Sequence, residues 1–320
     1  MAPEMLDLPD VILWNVLKKC DFFTIHKLRR VCHPIRTFII EKKPDASFSV
    51  ITVVATTDNV KVTYFKTESM EIEYRAHPRG TVITYKDKEI FLKRVKFSDV
   101  FLKDFQAIIQ HQKAKLTTFS LRTKNTEISD ELLKSRGNMN KLQVDNLEIS
   151  LQDPSDIQLF LSYIKPDSLT SINIYTMNIG DVESLEMSEI IMMDHWKQAK
   201  EVYLARQLRS VPLANFSHFH RGFVKLETVN ADELTLLKEK FLNSPNFKQF
   251  CIEFKTLETE QEFFETMGEA FTLYTQMKWF FGTEDRTRHL AVVYDAPNRQ
   301  ISFAEIELDD VPIEVLVCYG

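Results

Sequence analysis

Residues 28–39 read "LRRVCHPIRTFI" and set six apolar side chains among three arginines, Arg29, Arg30 and Arg36. The apolar residues recur at i, i+3, i+4, i+7, i+10 and i+11, the spacing that places side chains on one face of a helix. They are Leu28, Val31, Cys32, Ile35, Phe38 and Ile39. Such a stretch belongs to a nucleic-acid helix, to a membrane-surface helix or to a small packed module.

Composition argues against the first two of these interpretations. The chain has 320 residues, 44% of them hydrophobic, which is enough to bury a sizeable core divided into two or three units. Its 40 basic and 46 acidic residues give a net charge of -6. No overall positive field therefore attracts the chain to phosphate backbones or to anionic lipids.

The cysteines and the N-terminus predict an intracellular protein. Cys20, Cys32, Cys251 and Cys318 form no CxxC pair and no regular framework, which is typical of free thiols in a reducing compartment. The sequence begins "MAPEMLDLPD", without a signal-peptide pattern, and no apolar run is long enough to span a bilayer. We therefore expect the cytoplasm, the nucleus or both, and no membrane partner.

No motif predicts catalysis, a cofactor or a metal. The seven glycines form no nucleotide-binding loop and no nucleophile elbow. His218 and His220 are two residues apart and would share one face of a strand, but no third metal ligand has a recognisable spacing to them. Partly exposed loop histidines are the favoured interpretation, and the chain is expected not to be an enzyme.

The N-terminal forty residues predict three short helices. "LPDVILWNVLKKC" begins with a proline that a first helical turn tolerates and continues with an apolar stripe. A second helix follows Asp21, and a third begins around Pro34, which cannot continue the second. A module of this size is too small to be stable on its own core, so part of its apolar surface should face a partner.

The Leu8-Pro9 start, the Val16-Leu17 pair and the Leu-Arg-x-Val-Cys run in this order resemble an F-box. The resemblance covers residues 6 to 42 and implies a three-helix module that binds a Skp-type adaptor and, through it, a cullin. Ile35 stands where many F-boxes carry tryptophan, and Pro34 is unusual at its position. We expect adaptor binding by nine residues, which are Leu8, Pro9, Ile12, Val16, Leu17, Leu28, Val31, Cys32 and Ile35.

We expect the apolar and the basic residues of the opening stretch to differ in burial. We expect Val31 to be buried between the helices and the adaptor, so that Val31→Asp would unfold the module. The three arginines are expected at the rim of the interface, where charge affects association more than stability.

Beyond residue 46 the sequence changes to short runs rich in Val, Ile, Thr, Tyr and Phe, which predict an antiparallel meander up to residue 97. A helix in "FSDVFLKDFQAIIQHQ" should follow it. A degenerate apolar-x-x-apolar-x-apolar repeat then starts at residues 116, 144, 169, 199, 226 and 247. A strand and a helix every 21 to 30 residues are typical of a leucine-rich-repeat solenoid.

The F-box, the β-rich spacer and "FLKDFQAIIQHQKAKLTTFSL" together resemble nematode F-box proteins with a C-terminal FTH domain. The last part predicts one helix over 259–277, with Thr259 and Glu262 in capping-box spacing, and then a hairpin that caps the solenoid. The predicted fold class is α+β, with an F-box at 1–45, a β-rich spacer at 46–97, a leucine-rich-repeat-like solenoid at 98–260 and a cap at 261–320.

The resemblance implies a substrate-recognition subunit of an SCF ubiquitin ligase, whose protein target the sequence does not name. Two alternatives remain. A scaffolding F-box protein would act outside ubiquitination. A nucleic-acid-binding repeat protein would use a basic path of Lys113, Lys115, Arg122 and Lys124, which the acidic net charge disfavours.

Overall fold

A computed structural model describes residues 9–20, 22–28, 31–134, 141–151, 156–176, 184–209, 211–283, 288–312 and 318–319. Its contacts divide the chain into two compact units. Unit 1 comprises Met1–Asp145 and Ser162–Ser168, and unit 2 comprises Asn146–Leu161 and Leu169–Gly320.

Unit 1 begins with three helices, α1 (Asp10–Lys19), α2 (Phe22–Leu28) and α3 (His33–Lys42). Pro34 lies in the first turn of α3, where its missing N–H breaks no hydrogen bond within the helix. An ion pair of 3.7 Å joins Lys42 at the end of α3 to Asp10 at the start of α1. Both side chains are largely exposed, so the pair adds little stability.

The sheet of unit 1 is the predicted antiparallel meander with one further strand. Its strands are β1 (Val50–Ala55), β2 (Asn59–Phe65), β3 (Ser69–His77), β4 (Gly80–Tyr85), β5 (Lys88–Lys93) and β6 (Leu116–Thr123). Strands β1 to β5 pair antiparallel in chain order, and β6 pairs parallel with the free side of β1. The predicted spacer and the first strand of the predicted solenoid thus share one sheet.

Helices α4 (Phe97–Ile109) and α5 (Thr126–Lys134) complete unit 1. Helix α4 packs on β2, β3 and β4, and the buried rings of Phe101 and Tyr74 meet at 5.8 Å. The buried apolar residues of α4 recur with helical spacing, which is why this sequence forms an amphipathic helix there.

A polar junction holds the segment after α3 against the end of α4. The carboxylate of Asp45 accepts hydrogen bonds from the backbone N–H groups of Ser47, Lys113 and Ala114, at 2.8 to 3.1 Å. The buried amide of Gln112 donates to the carbonyl of Phe48 and accepts from its N–H. These bonds satisfy backbone groups that no strand partner satisfies.

Unit 2 contains a parallel run followed by antiparallel strands. The parallel strands are β7 (Val144–Leu151), whose first two residues belong to unit 1, β8 (Ser171–Ile174), β9 (Glu201–Leu208), β10 (Arg221–Asn230) and β11 (Gln249–Glu258). The helices between them are α6 (Asp156–Leu161), α7 (Asp194–Gln198) and α8 (Ala231–Leu242). Among the described residues between these strands, only α8 is longer than two turns, so the regular helix of a leucine-rich repeat stays a prediction.

The fifth predicted repeat was assigned to the wrong residues. Strand β10 places Gly222 beside Val202 on one side and Phe250 on the other, and Val224 beside Leu204 and Ile252. The repeat therefore starts at Phe219, seven residues before Leu226. The pattern search missed it because Gly222 stands where the other strands carry a large apolar residue.

The C-terminal part begins with a shorter helix than predicted. Helix α9 (Glu260–Met267) ends at Gly268, whose φ of +80° no helix adopts. Thr259 has the left-handed φ of 53° and makes no capping hydrogen bond, so the predicted capping box is wrong. Residues that were predicted to continue the helix form β12 (Phe271–Leu273) and the start of β13 (Gln276–Gly282).

The predicted hairpin is confirmed as β14 (Arg288–Asp295) and β15 (Gln300–Glu307). Strand β15 pairs antiparallel with β11, and β13 and β12 follow beyond β14. Strand β16 (Cys318–Tyr319) pairs parallel with β13. The hairpin therefore lies at the end of the parallel run, and its role as the cap of a solenoid stays a prediction.

Candidate functional site

The three N-terminal helices enclose a small apolar core, which we call the helical core. Its members are Leu13, Leu17, Ile25, Ile35, Phe38 and Ile39. Leu17 and Ile39 have no exposed surface, and Leu28 and Cys32 are partly buried against the same core. Of the predicted adaptor-binding residues, Leu17 and Ile35 thus hold the module together rather than lie on its surface.

A second apolar set lies on the outside of the module, and we call it the outer set. Its members are Val11, Ile12, Val16 and Val31, with exposed fractions of 68%, 46%, 37% and 67%. Ile12 and Val16 are four residues apart in α1 and therefore share one side of that helix. Pro9 at the start of α1 is exposed as well.

The outer set changes one expectation from the sequence. Val31 was predicted to be buried, but two thirds of its surface is accessible because it lies in the turn between α2 and α3. An aspartate there would be hydrated in the free chain, so Val31→Asp is not expected to unfold the module. Leu8, Asp21, Arg29 and Arg30 lie outside the described residues, and Arg36 is exposed.

A second candidate surface is the side of the unit 2 sheet whose side chains point away from its core. Tyr203 on β9 stacks on Phe223 of β10 with ring centroids 5.0 Å apart, and Tyr175 meets Tyr203 at 5.5 Å. The ammonium group of Lys225 lies 5.7 Å from the Phe223 ring centroid. We call Tyr175, Tyr203 and Phe223 the aromatic row.

Beside the aromatic row, a groove of about 500 Å³ crosses β8, β9, β10, β11 and β15. Asn173, Tyr203, Phe223, Cys251 and Ser302 follow one another across the strands along one side of it. Neighbouring strands are about 4.8 Å apart, so the groove is about 19 Å long, the length of roughly six extended residues.

The other side of the groove includes Glu201, Arg221 and Gln249. Small side chains, Cys251, Ser302 and Ala304, follow the bulky Phe223 and leave space for an apolar side chain from outside. The charges of the groove are balanced. Lys225 pairs with Glu253 at 2.9 Å beside the groove, and Glu201 and Arg221 are cross-strand neighbours that both line it. An extended segment with an uncharged apolar side chain fits this chemistry.

Sequence reasoning missed the aromatic row, although a signal for it was present. Tyr203 is the middle residue of an apolar-x-apolar triplet, the position whose side chain faces away from the core. Phe223 has the same position in β10, but the incorrect register of the fifth repeat hid it. A search of the middle positions in the corrected repeat would have found both.

The histidine pair does not form a metal site among the described residues. The Nε2 atom of His218 lies 2.9 Å from the carbonyl oxygen of Trp196 and donates to it. Desolvation by burial lowers the pKa of His218. In the described parts of the chain, no three or more His, Cys, Asp or Glu side chains are grouped to hold a metal ion.

The predicted basic path is partly neutralised. Lys115 pairs with Asp145 at 2.8 Å, which neutralises one of the four cations. Among the helices that the structure describes, none is long and apolar enough to cross a bilayer.

Cys251 in the groove is a poor candidate for a reactive thiol. Burial raises its pKa, and this effect outweighs the opposite effect of the hydrogen bond that the side-chain amide of Gln300 donates to its sulfur. The thiolate is the reactive form of a cysteine, and a raised pKa disfavours it.

Comparison with protein-family models finds two matches. Residues 5–45 match the F-box domain, and residues 123–266 match the FTH domain. The first match contains the helical core and the outer set, and the second contains the aromatic row. No curated protein and no solved structure matches the chain.

Proposed function

From the premise that the chain is an F-box protein with a C-terminal FTH domain, we propose that it is a substrate-recognition subunit of an SCF ubiquitin ligase. The F-box binds a Skp-type adaptor and, through it, a cullin. The FTH domain binds the protein target. F-box proteins are generally non-catalytic, and the chain accordingly supplies binding surfaces while other subunits transfer ubiquitin.

The observation that carries the adaptor half of the proposal is the division of apolar residues within the F-box. Six side chains already fill the helical core, yet Val11, Ile12, Val16 and Val31 remain accessible. Exposed apolar residues on a unit this small are typical of an interface. The predicted contacts Pro9, Ile12, Val16 and Val31 are therefore proposed to touch the adaptor directly.

The predicted adaptor-binding residues that are buried have a different proposed role. Leu17 and Ile35 belong to the helical core, and Leu28 and Cys32 pack against it. They hold the helices in the arrangement that displays the outer set. Ile35 stands at the position where many F-boxes carry tryptophan. Its side chain lies in the helical core and is 3% exposed.

The target half of the proposal places the substrate on the groove beside the aromatic row. Aromatic rings supply large contact area at a low cost in side-chain entropy, and the balanced charges favour a protein segment over a polyanion. The site of action proposed from the F-box match is the cytoplasm or the nucleus, where F-box proteins typically occur.

The adaptor half is tested with Ile12→Ala combined with Val16→Ala in the full chain. We expect affinity for a purified Skp-type adaptor to fall at least about tenfold, because truncated anchors at an interface each cost about 1 kcal/mol or more. The matched control is Val54→Ala with Leu236→Ala, two exposed apolar residues outside the F-box. Equal adaptor affinity of both double variants would contradict the proposal.

The target half is tested with Tyr203→Ala and Phe223→Ala, each in a chain that keeps the F-box intact. Proteins ubiquitinated by the reconstituted ligase are compared between wild type and variant. We expect adaptor binding to persist and substrate ubiquitination to fall. Full adaptor binding by the wild type without any ubiquitin transfer would favour the scaffolding alternative.

A further inference from the structure

Strand β5 is a free edge of the unit 1 sheet. It pairs antiparallel with β4, and no strand in the described part of the chain pairs with its other side. In an antiparallel pair, alternate residues turn their N–H and C=O groups away from the partner strand. β5 therefore offers unpaired backbone groups to an incoming strand.

Apolar side chains on β5 are exposed, and one of them continues a row that runs from a buried tyrosine through a half-buried isoleucine. Tyr74, Ile83 and Ile90 are cross-strand neighbours on the face that α4 covers. Tyr74 is 1% exposed, whereas Ile90 is 57% exposed. On the opposite face, Phe91 is 40% exposed and contacts the ring of His77. A further strand would bury both side chains in cross-strand pairs.

Unpaired cations stand at both ends of this strand. The four that make no ion pair with any described residue are Lys86, Lys88, Lys93 and Arg94. Of the two acids in this segment, Glu89 pairs with Arg75 at 3.3 Å and Asp87 lies in the preceding turn. The edge is therefore positively charged in a chain whose net charge is -6.

We propose that β5 binds an extended acidic segment of a partner protein by strand addition. Acidic side chains of the segment would lie beside Lys88 and Lys93, and apolar side chains beside Ile90 and Phe91. The expected pattern is acid-x-apolar-apolar-x-acid, which is the same in both chain directions. A second copy of the chain does not fit, because its own β5 would place lysine beside lysine.

This site lies outside the residues that match the F-box and FTH models, so it does not depend on the proposed function. Lysines on an edge strand also have a protective use, since they prevent unwanted strand pairing. The two interpretations differ in one result. A protected edge rejects peptides of every charge, whereas a binding edge selects acidic ones.

The test is selection of a displayed library of random ten-residue peptides on the full chain. We expect enrichment of the acid-x-apolar-apolar-x-acid pattern. An enriched peptide is then synthesised, and its affinity is measured by fluorescence anisotropy. Lys88→Glu with Lys93→Glu should weaken it at least tenfold, and Ile90→Thr, which retains β-branching, should weaken it several-fold. The charge-matched control, Lys66→Glu with Lys240→Glu, changes exposed lysines elsewhere and should leave the affinity unchanged.

A second comparison needs no protein variant. Replacing both acids of the selected peptide by lysine should abolish its binding to the wild-type chain. The proposal is overturned if no acidic pattern is enriched, if the charge-reversed chain binds the peptide equally well, or if a generic oligonucleotide binds this edge and competes with the peptide.

Discussion

The ring of Phe250 on β11 occupies the space that a side chain on Gly222 of β10 would need. A Cβ atom on Gly222 would lie 2.1 Å from Cε2 of Phe250, closer than any real contact. Phe250 is almost completely buried and cannot move aside. We expect Gly222→Ala to lower the free energy of unfolding by about 1 to 3 kcal/mol, the usual effect of overpacking a core.

Urea unfolding of the full chain measures this effect, and a second substitution tests its cause. Phe250→Leu removes the obstructing ring atoms. The double variant Gly222→Ala with Phe250→Leu should therefore lose less stability than the sum of the two single variants. Additive losses would show that the contact with Phe250 does not explain the glycine.

The two apolar sets of the F-box should respond in opposite ways. Leu17→Ala truncates a residue with no exposed surface and is expected to destabilise the module by about 2 to 5 kcal/mol. Val31→Asp changes a residue that is 67% exposed and should leave the melting temperature nearly unchanged while it abolishes adaptor binding. Circular dichroism and adaptor titration of both variants check this. Unfolding by Val31→Asp would show that Val31 is buried after all.

Gln112 is expected to tolerate no acidic replacement. Its Nε2 donates to the carbonyl oxygens of Phe48 and Ala114, both at 2.9 Å. Gln112→Glu has nearly the same shape but places one carboxylate oxygen against two carbonyl oxygens, and burial prevents water from compensating. We expect a loss of at least about 2 kcal/mol in chemical unfolding at pH 7.

That loss should shrink as the pH falls, because the protonated glutamic acid regains one donor. The free energy of unfolding of Gln112→Glu, measured against wild type between pH 7 and pH 4, gives the comparison. A difference that is constant with pH would mean that the carboxylate charge is not the cause.

His218 should make stability depend on pH in the mildly acidic range. Burial lowers its pKa below the ordinary 6.5, so the unfolded chain binds more protons than the folded chain as the pH falls. Its contribution to stability is present above pH 6.5 and is lost as the pH falls through the lowered pKa. We expect His218→Gln, which still offers a donor to the Trp196 carbonyl, to lose less stability between pH 7.5 and pH 5. Identical pH profiles of the two proteins would contradict this assignment.

Local patterns predicted much of the fold because they report local physics. The three helices, the meander and the final hairpin each follow from apolar periodicity together with turn residues. Pro34 marked the start of α3 because proline is excluded from a helix interior. The parallel pairing of β1 with β6 joins strands far apart in the chain, and no local pattern reports such a pairing.

The candidate sites were less predictable because exposure depends on tertiary packing. Val16 and Leu17 are consecutive apolar residues in the sequence, but only the structure shows that Leu17 is buried and that Val16 is 37% exposed. Val31 continues the apolar stripe of "LRRVCHPIRTFI", yet α2 ends before it and the turn releases it to solvent. The exposed Ile90 and Phe91 likewise read as ordinary strand residues until β5 is seen to be an edge.

The antiparallel seam between β11 and β15 has a consequence for how such a chain can change in length. Its cross-strand partners, from Gln249 with Ala304 to Glu253 with Gln300, join the last strand of the parallel run to the terminal hairpin. Duplication or loss of a whole strand-and-connection unit before Gln249 would leave this seam unaltered. The face that carries the aromatic row can therefore be lengthened or shortened in steps of one strand spacing, about 4.8 Å, while the same terminal hairpin closes it.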